Sequence, residues 1–285
     1  MPRTPLLPSH DLDSRIHDAV AFVRARAKLA PRLGITLGSG LGSVIDSLAD
    51  PAVIPTADIP HWPRSTVVGH AGRFAVGTWR GVPVAALAGR SHRYEGYTLD
   101  RVTFAVRVMH ALGARTLLFT SAVGGIHPEL RPGDLLLATS HINGIGTRGV
   151  LTPAEIAQCH PRRGMANPYD PALRAALIAA AARARVTLRR GVLMGSHGPS
   201  YETAAEVRMA ARFGADVASM STVHEVLVGA SLGCACASIS CVTNRATGLS
   251  AQPLAHDEVT AIADEAAGRI RAIFEEFLAA LGTGA

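Results

Sequence analysis

The chain has 285 residues, 48% hydrophobic and 5% aromatic, and its formal net charge of +6 is carried almost wholly by arginine, since Lys28 is the sole lysine. This length and composition support a full aliphatic core and exclude a disordered chain. The arginines are scattered, with no basic block or interleaved aromatics, which argues against a nucleic-acid partner and leaves a small anionic ligand, for which a few placed donors suffice.

The N-terminal stretch MPRTPLLPSHDLDSRI is broken by prolines and charge, so no signal peptide is expected and the protein reads as cytoplasmic. GITLGSG (34–40) reads as a short strand ending in a glycine turn, and RFAVGTWRGVPVAALAG (73–89) as a hairpin turning near Arg80 and Gly81. TLDRVTFAVRVMHALG (98–113) predicts an amphipathic helix with Thr98 as cap and Gly113 as stop. Strands follow at 115–121 and 134–142, then an irregular stretch from Asn143 to Asp170, long enough to suggest a functional loop. Beyond it the pattern alternates: helix 171–185, strand 191–196, helix 202–213, strand 216–221, helix 223–232, strand 234–242, and a helix from His256 to Leu281. No linker or repeat divides the series. The fold class expected is α/β, one domain over 1–285, with helices flanking a central mixed β-sheet.

Two negative readings narrow the chemistry. Cys159, Cys234, Cys236 and Cys241 make no disulfide framework in so long a chain, and the twelve histidines show no metal-ligand spacing, so buried thiols and no metal are expected. Val226 to Asn244 carries no charge over a membrane-span length, but glycines and serines interrupt it and CACASISCV reads as a buried strand. No membrane association is expected.

In such a sheet ligands gather where loops leave the carboxyl ends of strands. Those exits carry GSGLG (38–42), GRSHRYEGY (89–97), SAVGGI (121–126), GPSYET (198–203), SMSTVHE (219–225) and TNRATG (243–248). Their hydroxyl, amide and charged donors suit a phosphate and a polar heterocycle. GSGLGS lacks the lysine of a Walker loop and the third glycine of a dinucleotide fingerprint, which disfavours both of those folds.

Together, LGSGLG, STVVGHAGRF, GRSHRYEGY, GPSYET, MSTVHE and TNRATG, in order from about Leu37 to His256, resemble the trimeric purine nucleoside phosphorylases that act on guanosine and inosine. The resemblance implies a nucleoside phosphorylase-like fold, a homotrimer, purine salvage, and cleavage of the N-glycosidic bond by inorganic phosphate as co-substrate, with no cofactor. Carried over residue by residue, it implies that Ser39, Arg90, His92, Ser221 and the amide of Ala122 hold phosphate, with His70 beside them. Tyr94, Met220 and His256 would contact the ribose, Glu202 and Asn244 the base, and Glu95 would orient the phosphate-side histidine. His92, Glu202 and Asn244 form the implied catalytic set.

The reaction calls for these residue types on its own terms. A ribosyl C1′ losing its base develops oxocarbenium character, and a phosphate fixed beneath the ring both stabilises that charge and attacks it. Glu202 can accept from N1 and the 2-amino group of a 6-oxopurine while Asn244 donates to N7 or O6, so guanosine and inosine are expected over adenosine. Three departures stand out: Ser121 where the family has asparagine, Arg245 where mammalian members have lysine, and a 143–170 stretch without the phenylalanine that would cover a neighbouring subunit's ribose. The rival readings are a 5′-methylthionucleoside phosphorylase, a nucleosidase using water, and a non-catalytic purine-binding protein.

Overall fold

In the computed structural model, residues 9–67, 72–146, 151, 167–249 and 256–282 are described. Among the described residues nine strands form one mixed sheet: β1 (Leu33–Leu37), β2 (Ala49–Pro55), β3 (Arg73–Trp79), β4 (Val82–Ala88), β5 (Thr116–Gly125), β6 (Leu135–Asn143), β7 (Leu188–Gly195), β8 (Val217–Ser219) and β9 (Ala235–Arg245). Their order is β2-β3-β4-β1-β5-β8-β7-β6-β9, and β9 also pairs with β5, so the last five strands close on themselves. The expectation of a mixed sheet in a single α/β body holds. The closure lay outside it, because periodicity names strands without naming neighbours.

Helices cover the sheet: α1 (Ser9–Arg26), α2 (Leu99–Val102), α3 (Phe104–Leu112), α4 (Pro171–Arg183), α5 (Ala204–Arg212), α6 (Val223–Ser231) and α7 (His256–Gly282). On one side α4 and α7 bury Leu173, Leu177, Ile270, Ile273, Phe274 and Phe277 against Ile35, Ala86 and Ile239. On the other, α1, α3 and α6 bury Val23, Phe104, Val108, Met109 and Val226 against Phe74, Leu87 and Leu117. Along α1, α4 and α7 the buried residues recur every three or four positions, one apolar stripe facing the sheet, whereas α3 and α6 are buried at nearly every position.

The hairpin of β3 and β4 turns at Arg80 and Gly81, both at positive φ (51° and 78°), the backbone twist that two-residue hairpins favour. Several boundaries differ from expectation for identifiable reasons. The 98–113 segment is two helices, because the Thr103 hydroxyl donates back to Leu99 O at 2.8 Å and the helix breaks there. Strands β5, β7 and β9 each outrun their predicted range at one end, because pairing extends them through the glycines of 122–125 and the polar or charged residues of 188–190 and 243–245, which propensity alone reads as the limits of a strand. The predicted helix 202–213 begins only at Ala204: Thr203 is its cap, accepting from Glu206 N, and Glu202 lies outside it. Helix α1 and edge strand β2 lie in stretches assigned no element from sequence.

Cys234, Cys236 and Cys241 are buried free thiols, whereas Cys159 and most of the 143–170 stretch lie outside the described residues. Among the described residues no helix is long and apolar enough to cross a membrane, and the charge-free run from Val226 is the body of α6 followed by β9.

Candidate active site

One cavity opens at the carboxyl ends of the strands, lined from β1 by Gly38 and Ser39, from β4 by Arg90, His92 and Tyr94, and from β5 by Ser121 to Gly124. The exit of β7 contributes Tyr201 and Glu202, that of β8 Ser219, Met220 and Ser221, and the end of β9 Thr243 and Asn244. Nine of the twelve residues expected at the site therefore face one space, including the two ends that had to share it, Arg90 with His92 and Glu202 with Asn244, while Glu95 stands behind His92 rather than in the lining. His70 lies outside the described residues, and His256 opens α7 with its side chain outside them.

Arg90 is 3% exposed. Its Nη1 donates to Ser221 Oγ at 2.7 Å and Thr222 Oγ1 at 3.1 Å and lies 3.3 Å from Glu225 Oε2; Nη2 donates to Thr120 O at 2.6 Å and Thr36 O at 3.4 Å. This grip comes from three elements and fixes the guanidinium as a rigid edge of the cavity. Thr222 takes a positive φ of 73°, costly for a β-branched residue, and its N–H donates to Glu225. Sequence reasoning missed Glu225 and Thr222, although Thr222-Val-His-Glu225 is the capping-box pattern at the start of α6.

The loop after β1 lies directly on β5. A Cβ at Gly38 would fall 2.9 Å from both Ser121 Cα and Thr120 O, so only glycine permits the approach that brings Ser39 alongside Ala122. Strand β1 pairs with β5 only as far as Phe119, which frees the backbone edge beyond. Alternate residues present their backbone groups to the same edge, so the N–H of Ala122 shares that edge with Thr120 O, the acceptor of Arg90.

His92 stacks on Tyr94 with ring centroids 4.8 Å apart and an interplanar angle of 14°, and its Nδ1 meets Glu95 Oε1 at 3.1 Å. The other Glu95 oxygen accepts the N–H and hydroxyl of Thr66. Glu95 thus ties His92 to the segment leading toward His70. Burial pushes the Glu95 carboxyl up, but donors from His92 and Thr66 outweigh it and hold the pKa down at about 2, against an ordinary 4.5. The Tyr94 phenol is pushed up to about 12, first by burial and then by Glu95, and stays a neutral donor. A depressed carboxylate pKa gives stability that is present above the unfolded value and lost as pH falls through the folded one. Glu95→Gln is expected to lower stability at neutral pH and to flatten its decline between pH 4.5 and about 2, read by urea unfolding across that range.

At the far end the Ser196 hydroxyl donates to Glu202 Oε1. Asn244 is held by two contacts: Thr243 Oγ1 donates to its Oδ1 at 3.0 Å, and its Nδ2 donates to Arg245 O at 3.0 Å. A Cβ at Gly198 would fall 2.5 Å from Met220 Sδ and 2.9 Å from Tyr94 Cδ1, so the bare glycine lets those two side chains form one wall between the ends. Thr243, Tyr201, Ser196 and Ser219 were not anticipated. Tyr201, Ser219 and Thr243 lie within the quoted motifs and Ser196 two residues before one, but nothing in one sequence says which of these residues face inward. Among the described residues no cluster of three or more His, Cys, Asp or Glu could hold a metal.

The family model of the Phosphorylase superfamily matches residues 32–279. Purine nucleoside phosphorylase 1 of Bacillus subtilis is 41% identical over 254 residues, covering 89% of this chain and 94% of that protein. Purine nucleoside phosphorylase 1 of Geobacillus stearothermophilus is 40% identical, covering 93% and 96%. A crystal structure of a schistosoma purine nucleoside phosphorylase in complex with hypoxanthine superposes with a TM-score of 0.86 at 31% identity, covering 94% of this chain and 97% of that one. With 40% identity along nearly the whole of two relatives and a family model spanning the sheet from β1 to α7, the chain belongs to the purine nucleoside phosphorylases of the phosphorylase superfamily.

Proposed function

We propose that the protein cleaves the N-glycosidic bond of 6-oxopurine nucleosides with inorganic phosphate, releasing free base and ribose 1-phosphate. The observation that carries this reading is the single cavity with an arginine, histidine and hydroxyl cluster at one end and a carboxylate with a carboxamide at the other. Arg90, His92, Ser39, Ser221 and the Ala122 amide hold the phosphate beneath the sugar, and Tyr94 and Met220 wall the ribose. The family resemblance alone assigns His70 to the phosphate side and His256 to the 5′ side of the ribose. As C1′ loses the base, the fixed anion stabilises the oxocarbenium charge and attacks it, so little reorganisation accompanies the step.

The departing purine gains electron density at its imidazole edge and O6. Asn244 accepts from Thr243 through Oδ1 and gives one amide hydrogen to Arg245 O, which leaves its second amide hydrogen for N7 or O6 of a 6-oxopurine. Asn244→Asp is expected to reverse this preference. The ratio of kcat/KM for inosine to that for adenosine should fall about tenfold to a hundredfold, because the new carboxylate accepts from an exocyclic amine and repels O6. The same change sets an oxygen against Arg245 O where the amide now donates, with a stability loss of about 1–3 kcal/mol.

A coupled assay of inosine, guanosine, adenosine and methylthioinosine, with and without phosphate, tests the reading as a whole. Turnover should require phosphate and favour the first two; turnover without phosphate marks a nucleosidase, and a preference for the thioether marks the 5′-methylthio enzyme. The same reading makes the protein a cytoplasmic homotrimer of purine salvage, needing phosphate but no cofactor. Light scattering that returned a lone 29.7 kDa species would remove the trimer from it.

A further inference from the structure

We propose that Ser196 sets the choice among 6-oxopurines by acting as a built-in substitute for the 2-amino group. The inference rests on the phosphorylase reading only in taking Glu202 as the group that meets the base. Ser196 follows directly on β7, and its N–H donates to Ser219 O at 2.8 Å, which fixes the residue against β8. From there its hydroxyl donates to Glu202 Oε1; Ser219 O, at 3.5 Å, is a far weaker alternative acceptor.

A carboxylate facing guanine receives two parallel donors, N1–H and one hydrogen of the 2-amino group. Facing hypoxanthine it receives N1–H alone, and its second oxygen is left short of a partner in a desolvated site. Ser196 supplies that partner. With hypoxanthine bound, both oxygens of Glu202 are occupied, one by the base and one by the serine. With guanine bound, the 2-amino group must share Oε1 with the serine hydroxyl, so it gains less than it would from Glu202 alone. The serine therefore tilts the pocket toward inosine and hypoxanthine without excluding guanosine. It is a positioning residue that works through Glu202.

The test compares the wild type with Ser196→Ala and Ser196→Thr. For each, kcat/KM is measured for inosine and guanosine at saturating phosphate, and calorimetry gives the affinity of free hypoxanthine and guanine. In Ser196→Ala the inosine-to-guanosine ratio should fall about tenfold, with the base affinities shifting alike and KM for phosphate unmoved, since one charge-assisted hydrogen bond is lost on one substrate only. Ser196→Thr, which keeps the hydroxyl, should retain the wild-type ratio. An equal loss on both substrates, an unchanged ratio, or a threonine variant that behaves like alanine would overturn the proposal while leaving phosphorolysis intact. Conversely, a serine-dependent preference between the free bases in a chain with no phosphorolysis would sustain it and overturn the catalytic reading.

Discussion

Arg90→Ala is expected to raise KM for phosphate by about a hundredfold, the effect of removing a buried positive charge from beside the anion together with the hydrogen bond that fixes Ser221 Oγ at the cavity. KM for the nucleoside should move far less. The same substitution strips Glu225 of its partner at a position where both side chains are 3% exposed, and an uncompensated buried carboxylate costs about 3–5 kcal/mol. A thermal shift will therefore accompany the kinetic defect and could be mistaken for its cause. The double variant Arg90→Ala with Glu225→Gln separates the two. It removes the stranded charge, so most of the stability should return while phosphate saturation stays lost. Recovery of phosphate saturation in the double variant would mean that Arg90 serves the fold through Glu225, Thr36 O and Thr120 O rather than gripping the anion.

The parts of the site that were legible in the sequence share one property: their chemistry and their position are set by the same few residues. GRSHRYEGY places Arg90, His92, Tyr94 and Glu95 immediately after a buried strand, so the strand exit and the polar cluster are read together. Ser39 comes with Gly38, whose approach to β5 no other residue permits. What stayed hidden depends on geometry that local pattern does not carry. Ser196 and Glu202 are only six residues apart but meet across an irregular turn whose path propensity does not give, and the Arg90–Glu225 pair spans 135 positions, beyond any local window. Elsewhere a usable signal was present. Leu12, Ile16, Ala19, Val20 and Val23 follow helical spacing and bury against the face that carries Phe104 and Met109, yet the flanking prolines and charges draw the eye to the terminus. Strand β2 contains Pro51 and Pro55, which an edge strand tolerates, and among the described residues its sole neighbour is β3. Ring closure through β9 was unreadable in principle, because pairing β5 on one side and β6 on the other depends on register across more than a hundred residues.

Glu202→Ala bears on the other end of the bond, and its sign differs between substrates. For inosine and guanosine it removes the acceptor for N1–H, and with it the contact that holds the purine edge where Asn244 can donate to N7 or O6. A fall of about a hundredfold in kcat/KM is expected, the worth of a charge-assisted bond together with the alignment it secures. KM for phosphate should stay near its wild-type value, since the hydrogen bonds described for Arg90 go to Ser221, Thr222, Thr120 and Thr36 rather than to Glu202 or Asn244. Adenosine behaves differently: its N1 is an acceptor that meets the ionised carboxylate without a proton between them, so losing Glu202 should leave its turnover unchanged or raise it. Two opposed responses from one substitution cannot come from a general loss of structure, which would lower both. Parallel losses on inosine and adenosine would show that Glu202 shapes the loop ahead of α5, and the reading of the base would then rest on Asn244 alone.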